Sequence, residues 1–163
     1  MKLFFKSDPF FEFCTSIPGY FGEYKLKNKD VVVDAGAYVG TFAIFAAKFV
    51  GENGKVFAFE PNEKNTEEFR RNIKRNKITN ITLIQKALWS ENKELIFIDS
   101  GDKGILIESK NRLNNEKSKP IIATSIDDFV KKRSLKRIDF IKMDIEGAEI
   151  EVLKGAEKAL RKF

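Results

Sequence analysis

The chain has 163 residues, 42% hydrophobic and 33% charged, with 30 basic and 24 acidic side chains for a formal net charge of +6. That balance describes a globular chain of one-domain length; no apolar run reaches the roughly 18–20 residues that cross a bilayer, and the mild basic excess demands no anionic partner. With no histidine and one cysteine, Cys14, the sequence excludes Ser-His-Asp and Cys-His catalysis, His-ligated metals, an internal disulfide and a Cys-rich zinc site.

Residues 1–30 are aromatic-rich (Phe4, Phe5, Phe10, Phe11, Phe13, Tyr20, Phe21 and Tyr24) and read as a cap of one or two short helices packed over a sheet. Lys6, Asp8 and Pro9 break the first apolar patch before a signal-peptide core forms, so a cytoplasmic location is expected. "VVVDAG" (31–36) is a β-branched run ended by a turn, the pattern of a strand buried on both faces. Thr41–Val50 reads as a helix stopped by "GENG" (51–54), and "KVFAFE" (55–60) as a second strand. Pro61-Asn62 then opens a helix to about Lys77, with Asn62 as N-cap and Phe69 and Ile73 on one face.

"ITLIQKAL" (81–88) reads as a third strand, and "ELIFID" (94–99) with "ILIES" (105–109) as an antiparallel hairpin. A polar loop (110–119) leads to a short strand and a helix from about Ile126. "RIDFIKMD" (137–144) is another buried strand, and "IEGAEIEVLKGAEKAL" turns through Gly147 into a helix that runs to the chain end. The alternation predicts one domain over 1–163: the aromatic cap (1–30) and a Rossmann-like core (31–163), an open, mainly parallel α/β sheet flanked by helices. Its ligand should lie at the carboxyl ends of the strands, where the turns 34–40 and 144–147 fall.

A dinucleotide fingerprint needs a glycine where Tyr38 stands, and a Walker A loop needs a lysine before Thr41. What remains is D-x-G-x-x-x-G: Asp34, Gly36 and Gly40. This resembles the first motif of the class I S-adenosylmethionine-dependent methyltransferases. An acidic strand end suits a cofactor that carries an ammonium and a sulfonium and no phosphate. Glu60 ends the second strand, where an acid typically accepts hydrogen bonds from ribose hydroxyls.

Taken together, "VVVDAGAYVGTF", "VFAFEPN", "IQKALW" and "IDFIKMDIEGAEIEVLKGA" resemble the FkbM family of methyltransferases. Its most specific element is a K-x-D-x-E-G-x-E signature, matched by Lys142, Asp144, Glu146, Gly147 and Glu149. The resemblance implies O-methylation of a hydroxyl on a sugar, glycolipid or small metabolite, with S-adenosylmethionine as cofactor. By position, Asp34, Gly36, Ala37 and Gly40 would line the methionine end of that cofactor, with Tyr38, Thr41 and Pro61 beside them. Glu60 would hold the ribose, Lys86 and Ala87 would flank the adenine, and Asp144, Glu146 and Gly147 would face the methyl group and acceptor.

With no histidine, the base candidates are Asp144, Glu146 and Glu149; no metal is expected. Tyr38 stands where the family commonly has asparagine. Such methyltransferases also usually continue, after the last helix here, into a fifth strand and an antiparallel pair. Without those last strands, residues 138–143 would form a bare apolar edge, which predicts a homo-oligomer or a partner chain covering it. The alternative function is a truncated, non-catalytic or partner-dependent cofactor-binding module. RNA methylation ranks lower: "RRNIKRNK" (70–77) and "KKRSLKR" (131–137) read as solvated helix faces, and "MDIEG" replaces the N/D-P-P-Y turn of base N-methyltransferases.

Overall fold

The computed structural model describes residues 24–99, 104–108 and 118–163; most of the aromatic segment 1–30 and of the polar loop 110–119 falls outside them. In chain order the elements are β1 (Val31–Ala35), α1 (Thr41–Val50), β2 (Lys55–Phe59), α2 (Glu63–Arg75), β3 (Ile81–Ile84), β4 (Ala87–Leu88) and β5 (Lys93–Asp99). They continue with β6 (Gly104–Glu108), β7 (Ser118–Thr124), α3 (Ile126–Arg133), β8 (Phe140–Met143), α4 (Glu149–Lys154) and α5 (Glu157–Lys162). The described residues divide into two compact units, one holding those up to Gln85 together with Ile138–Lys142, the other Lys86–Arg137 with Met143–Phe163.

The first unit is built on a sheet of order β3-β2-β1-β8, in which β1 pairs β2 and β2 pairs β3 in parallel. This is the α/β, Rossmann-like arrangement that the alternating pattern predicts. Val32 and Val33 of β1 are fully buried, because a strand between two others with helical cover has no solvent face. Phe42, Ile44 and Val50 of α1 and Phe69 of α2 join Val32, Val56 and Ala58 in one core. Each such large side chain contributes roughly 1.5–3 kcal/mol by leaving water. Asn62 caps α2 as expected, its side chain accepting from the Lys64 N–H at 2.9 Å. The basic residues of α2 lie on a solvated face, where Arg71 and Arg75 pair with Glu67 and Glu68. Among the described residues β8 stands at the edge of this sheet.

The second unit holds a mixed sheet, β4-β7-β5-β6. The expected hairpin is present, with β5 antiparallel to β6. It is extended by β7, antiparallel to β5, and by β4, parallel to β7. Ala87, Trp89, Leu95, Ala123 and Ala148 form its core.

Two expectations need correction. The run 81–88 is two strands in two sheets rather than one. The ladder of β3 on β2 ends at Phe59 opposite Ile84, where β2 itself stops, and Ala87 and Leu88 pair instead with Ala123 and Thr124. The final helix is likewise two. A Cβ at Gly155 would lie 2.3 Å from the Trp89 carbonyl oxygen, so the backbone passes too close for any other residue. The Gly155 carbonyl accepts from the Asp127 N–H, and the Asp127 carboxylate accepts from the N–H groups of Lys158 and Ala159, which α5 leaves unpaired at its start.

Candidate functional site

The turn after β1 is held from several sides. Gly36, Tyr38 and Gly40 all have positive φ (75°, 50° and 88°). The Gly36 and Ala37 N–H groups both donate to the Phe59 carbonyl, at 3.1 and 2.9 Å, and the Gly40 N–H donates to the Ala37 carbonyl at 2.8 Å. Three side chains reach the same backbone. Lys142 Nζ donates to the Gly36 carbonyl at 2.8 Å, and Asn72 Nδ2 donates to the Val39 carbonyl at 3.0 Å. Glu60 Oε2 accepts from the Tyr38 N–H at 2.9 Å. The peptide groups 36–37, 37–38 and 39–40 are thus each bonded through both C=O and N–H. The left-handed backbone of Tyr38 costs a non-glycine residue roughly 1–2 kcal/mol, and the Glu60 bond helps to hold it there.

Glu60 is 6% exposed. Besides the Tyr38 amide, its carboxylate accepts from the Asn62 N–H at 2.9 Å and from Asn65 Nδ2 at 3.1 Å, both on Oε1. Burial pushes the carboxyl above the ordinary carboxylate range, and the bonds from Asn62, Asn65 and Tyr38 and the charge of Lys142 offset only part of that. Above the ordinary carboxyl value of 4.5 the folded protein therefore keeps a proton that the unfolded chain has released. The stability contributed by this group is greatest on the acid side and falls as pH rises through the raised value. Glu60→Gln should flatten that decline, seen as a smaller drop in urea midpoint than the parent shows between about pH 4.5 and about pH 7; parallel slopes would clear Glu60 of the effect.

Asp34 is fully enclosed, at 0% exposure, and Lys142 at 6%. Their charged groups lie 3.1 Å apart, and Lys142 Nζ sits 5.8 Å from the centre of the Phe42 ring. The Asp34 carboxylate therefore faces into the protein, toward Lys142. Ala37 and Thr41 are buried, Pro61 is half-buried, and the Tyr38 side chain is 54% exposed. The requirement for glycine at position 40 comes from its φ and from Phe69, whose ring would lie 2.0 Å from an added Cβ. One unit thus gathers Asp34, Gly36, Ala37, Tyr38, Gly40, Thr41, Glu60 and Pro61 around a single turn.

The second unit carries the remaining residues named from the sequence. Lys86 is half-buried, and Ala87 lies in the core of its unit with Trp89 and Leu95. Asp144, Glu146 and Gly147 are exposed in the turn after β8. Glu146 and Gly147 have φ of 49° and 93°, and nothing lies within 4 Å of a Cβ at Gly147, so glycine answers there to conformation rather than to space. Glu149, at the start of α4, accepts from the Ile145 N–H at 3.4 Å and so closes its own turn.

The family model for the methyltransferase FkbM domain matches residues 34–163. The chain belongs to the FkbM methyltransferase family. This FkbM domain is similar to the hexuronic acid methyltransferase AglP of Haloferax volcanii, 32% identical over 135 residues that make up 83% of this chain and 53% of the relative. It is also similar to methyltransferase sdnD of Sordaria araneosa, 28% identical over 163 aligned residues, 82% of this chain and 62% of that one. A solved SAM dependent methyltransferase from Aquifex aeolicus aligns at TM-score 0.43 and 24% identity, over 48% of this chain and 42% of its own. The FkbM domain described here thus spans between half and two thirds of the length of these curated relatives.

Three residues that shape the turn of the FkbM domain escape a reading by motif: Asn72, Phe69 in its role opposite Gly40, and Lys142 as a ligand of backbone. Lys142 did leave a signal, being the one charge inside the apolar run "FIKM". A lysine in a buried strand needs a carboxylate or carbonyl partner. Asn72 left none, since an asparagine on a polar helix is ordinary.

Proposed function

We infer that this chain binds S-adenosylmethionine at the turn after β1 and methylates a hydroxyl of a sugar. One observation carries the reading: at the ends of two neighbouring parallel strands, a glycine turn held peptide by peptide stands beside the buried Glu60 carboxylate. The donor set suits that cofactor. A carboxylate has about four acceptor sites, and the three described donors to Glu60 leave one on Oε2 for a ribose hydroxyl. The charge of Lys142 is met by Asp34, so no free cation of the turn opposes a sulfonium. Membership of the FkbM family supports the activity, and the hexuronic acid methyltransferase among the relatives supports a sugar acceptor over a glycolipid or another small metabolite.

Bound S-adenosylmethionine supplies a methyl group on sulfur, open to in-line attack by an acceptor oxygen. The chain's own part is chiefly to position the reactants, which can supply most of the acceleration. Gly36 and Ala37 would let the ligand approach backbone, Gly40 gives the turn the room that Phe69 fills, and Glu60 would hold the ribose. Asp144 or Glu146 takes the proton from the attacking hydroxyl, a role no histidine is present to fill. Glu149, which bonds its own turn, supports the loop that carries them.

Calorimetric titration with S-adenosylmethionine and S-adenosylhomocysteine, with NAD as control, tests the reading. Both sulfur ligands should bind, NAD should not, and Glu60→Ala should weaken S-adenosylhomocysteine at least about tenfold, the loss of a charge-assisted hydrogen bond. Asp144→Ala and Glu146→Ala should lower methyl transfer to a uronic-acid glycoside by about 100-fold, and more than they weaken cofactor. A folded chain that binds neither sulfur ligand overturns the proposal.

A further inference from the structure

Resting on that cofactor reading, we propose that Lys142 is a positioning residue: it holds the Gly36–Ala37 peptide of the cofactor turn in its binding orientation before any ligand arrives. The Lys142 ammonium is enclosed; it pairs with the Asp34 carboxylate at 3.1 Å and donates a hydrogen bond to a backbone carbonyl. An ion pair alone would need only Asp34. The 2.8 Å bond to the Gly36 carbonyl fixes the plane of a peptide whose other end, the Ala37 N–H, is bonded to Phe59 at 2.9 Å.

Gly36 takes φ of 75°, in a region that glycine enters and leaves freely, so its own sequence does not hold this peptide plane. A cation on one end and a strand carbonyl on the other do. The next peptide, fixed by Glu60 and Gly40, inherits that orientation, and with it the placing of the Glu60 carboxylate. Asp34 then serves as the counterion that lets an ammonium stand beside the turn without presenting net charge to a cationic ligand.

The test separates the backbone bond from the ion pair. Asp34→Asn removes the pair and leaves the lysine donor on Gly36; Asp34→Asn with Lys142→Met removes both while burying no charge. S-adenosylhomocysteine should bind the double variant at least tenfold more weakly than the single one. Hydrogen exchange at the Ala37 amide should be at least tenfold faster in the double variant, with Val32 and Val33 of β1 unchanged. Equal affinity and equal exchange in the two variants would overturn the proposal. If the parent fails to bind S-adenosylhomocysteine, the cofactor reading falls, and the exchange comparison alone decides the role of Lys142. In the ligand-free parent, the Ala37 and Tyr38 amides should exchange as slowly as that of Val33. Slow exchange upholds a preset turn even if the double variant does not fold, and rapid exchange there sinks the proposal.

Discussion

Gly40→Ala is expected to lower the free energy of unfolding by about 3 kcal/mol and the melting temperature by roughly 6–12 °C. Two costs add. At φ of 88° an alanine sits in the left-handed region, at roughly 1–2 kcal/mol. Its Cβ would also lie 2.0 Å from the fully buried Phe69 ring, which cannot swing into solvent, and such overpacking costs about 1–3 kcal/mol. The two parts are separable. Phe69→Leu relieves the overlap but not the backbone strain, so Gly40→Ala with Phe69→Leu should be less destabilised than the sum of the single variants by about 1–2 kcal/mol. Chemical denaturation of the four proteins reads this out, and strict additivity would show that Phe69 is not what excludes a side chain at position 40.

The second large effect belongs to Lys142→Met, with an expected loss of about 3–5 kcal/mol. The substitution removes the cation and leaves the Asp34 carboxylate enclosed, with no route to water. A lone charge there costs far more than the pair contributes, because desolvating the two ions offsets most of their attraction. Asp34→Asn added to Lys142→Met should therefore restore most of the lost stability, although the double variant has fewer polar contacts than either single one. Thermal melts of the single and double variants decide it. A double variant as unstable as Lys142→Met would place the cost in lost packing of the lysine stem.

Much of this architecture was readable from residue pattern. The β-branched run 31–33, the Asn62 cap and the apolar run 95–98 each obey a local rule, and each element formed where that rule puts it. The two splits did not follow, because both are decided by partners. "ITLIQKAL" looks uniform until β2 ends at Phe59 and leaves Gln85 and Lys86 with no ladder to continue. Gly155 reads as a weak spot in a helix until the Trp89 carbonyl is seen against it. For the site, the glycines and the acid at the end of β2 announced themselves by spacing. Their physical reasons differ in part from those the spacing suggested: Gly40 makes room for Phe69, and Asp34 looks inward to Lys142. Spacing marks which positions are constrained, and only packing tells which neighbour constrains them.

The order of strands has a consequence for how the chain is made. Unit one takes β1, β2 and β3 from residues 31–84 but its fourth strand from beyond residue 137, after the whole hairpin region has been synthesised. Lys142 reaches Gly36 across 106 positions, and Asp139 reaches the Val31 amide across 108. On the ribosome, Asp34 is therefore translated long before its counterion exists, and a nascent β3-β2-β1 sheet lacks both that cation and the strand that lies beside β1. Completion of that sheet waits on residues 138–143, and a stalled or clipped product ending before residue 138 leaves Asp34 without the cation that meets it in the folded chain.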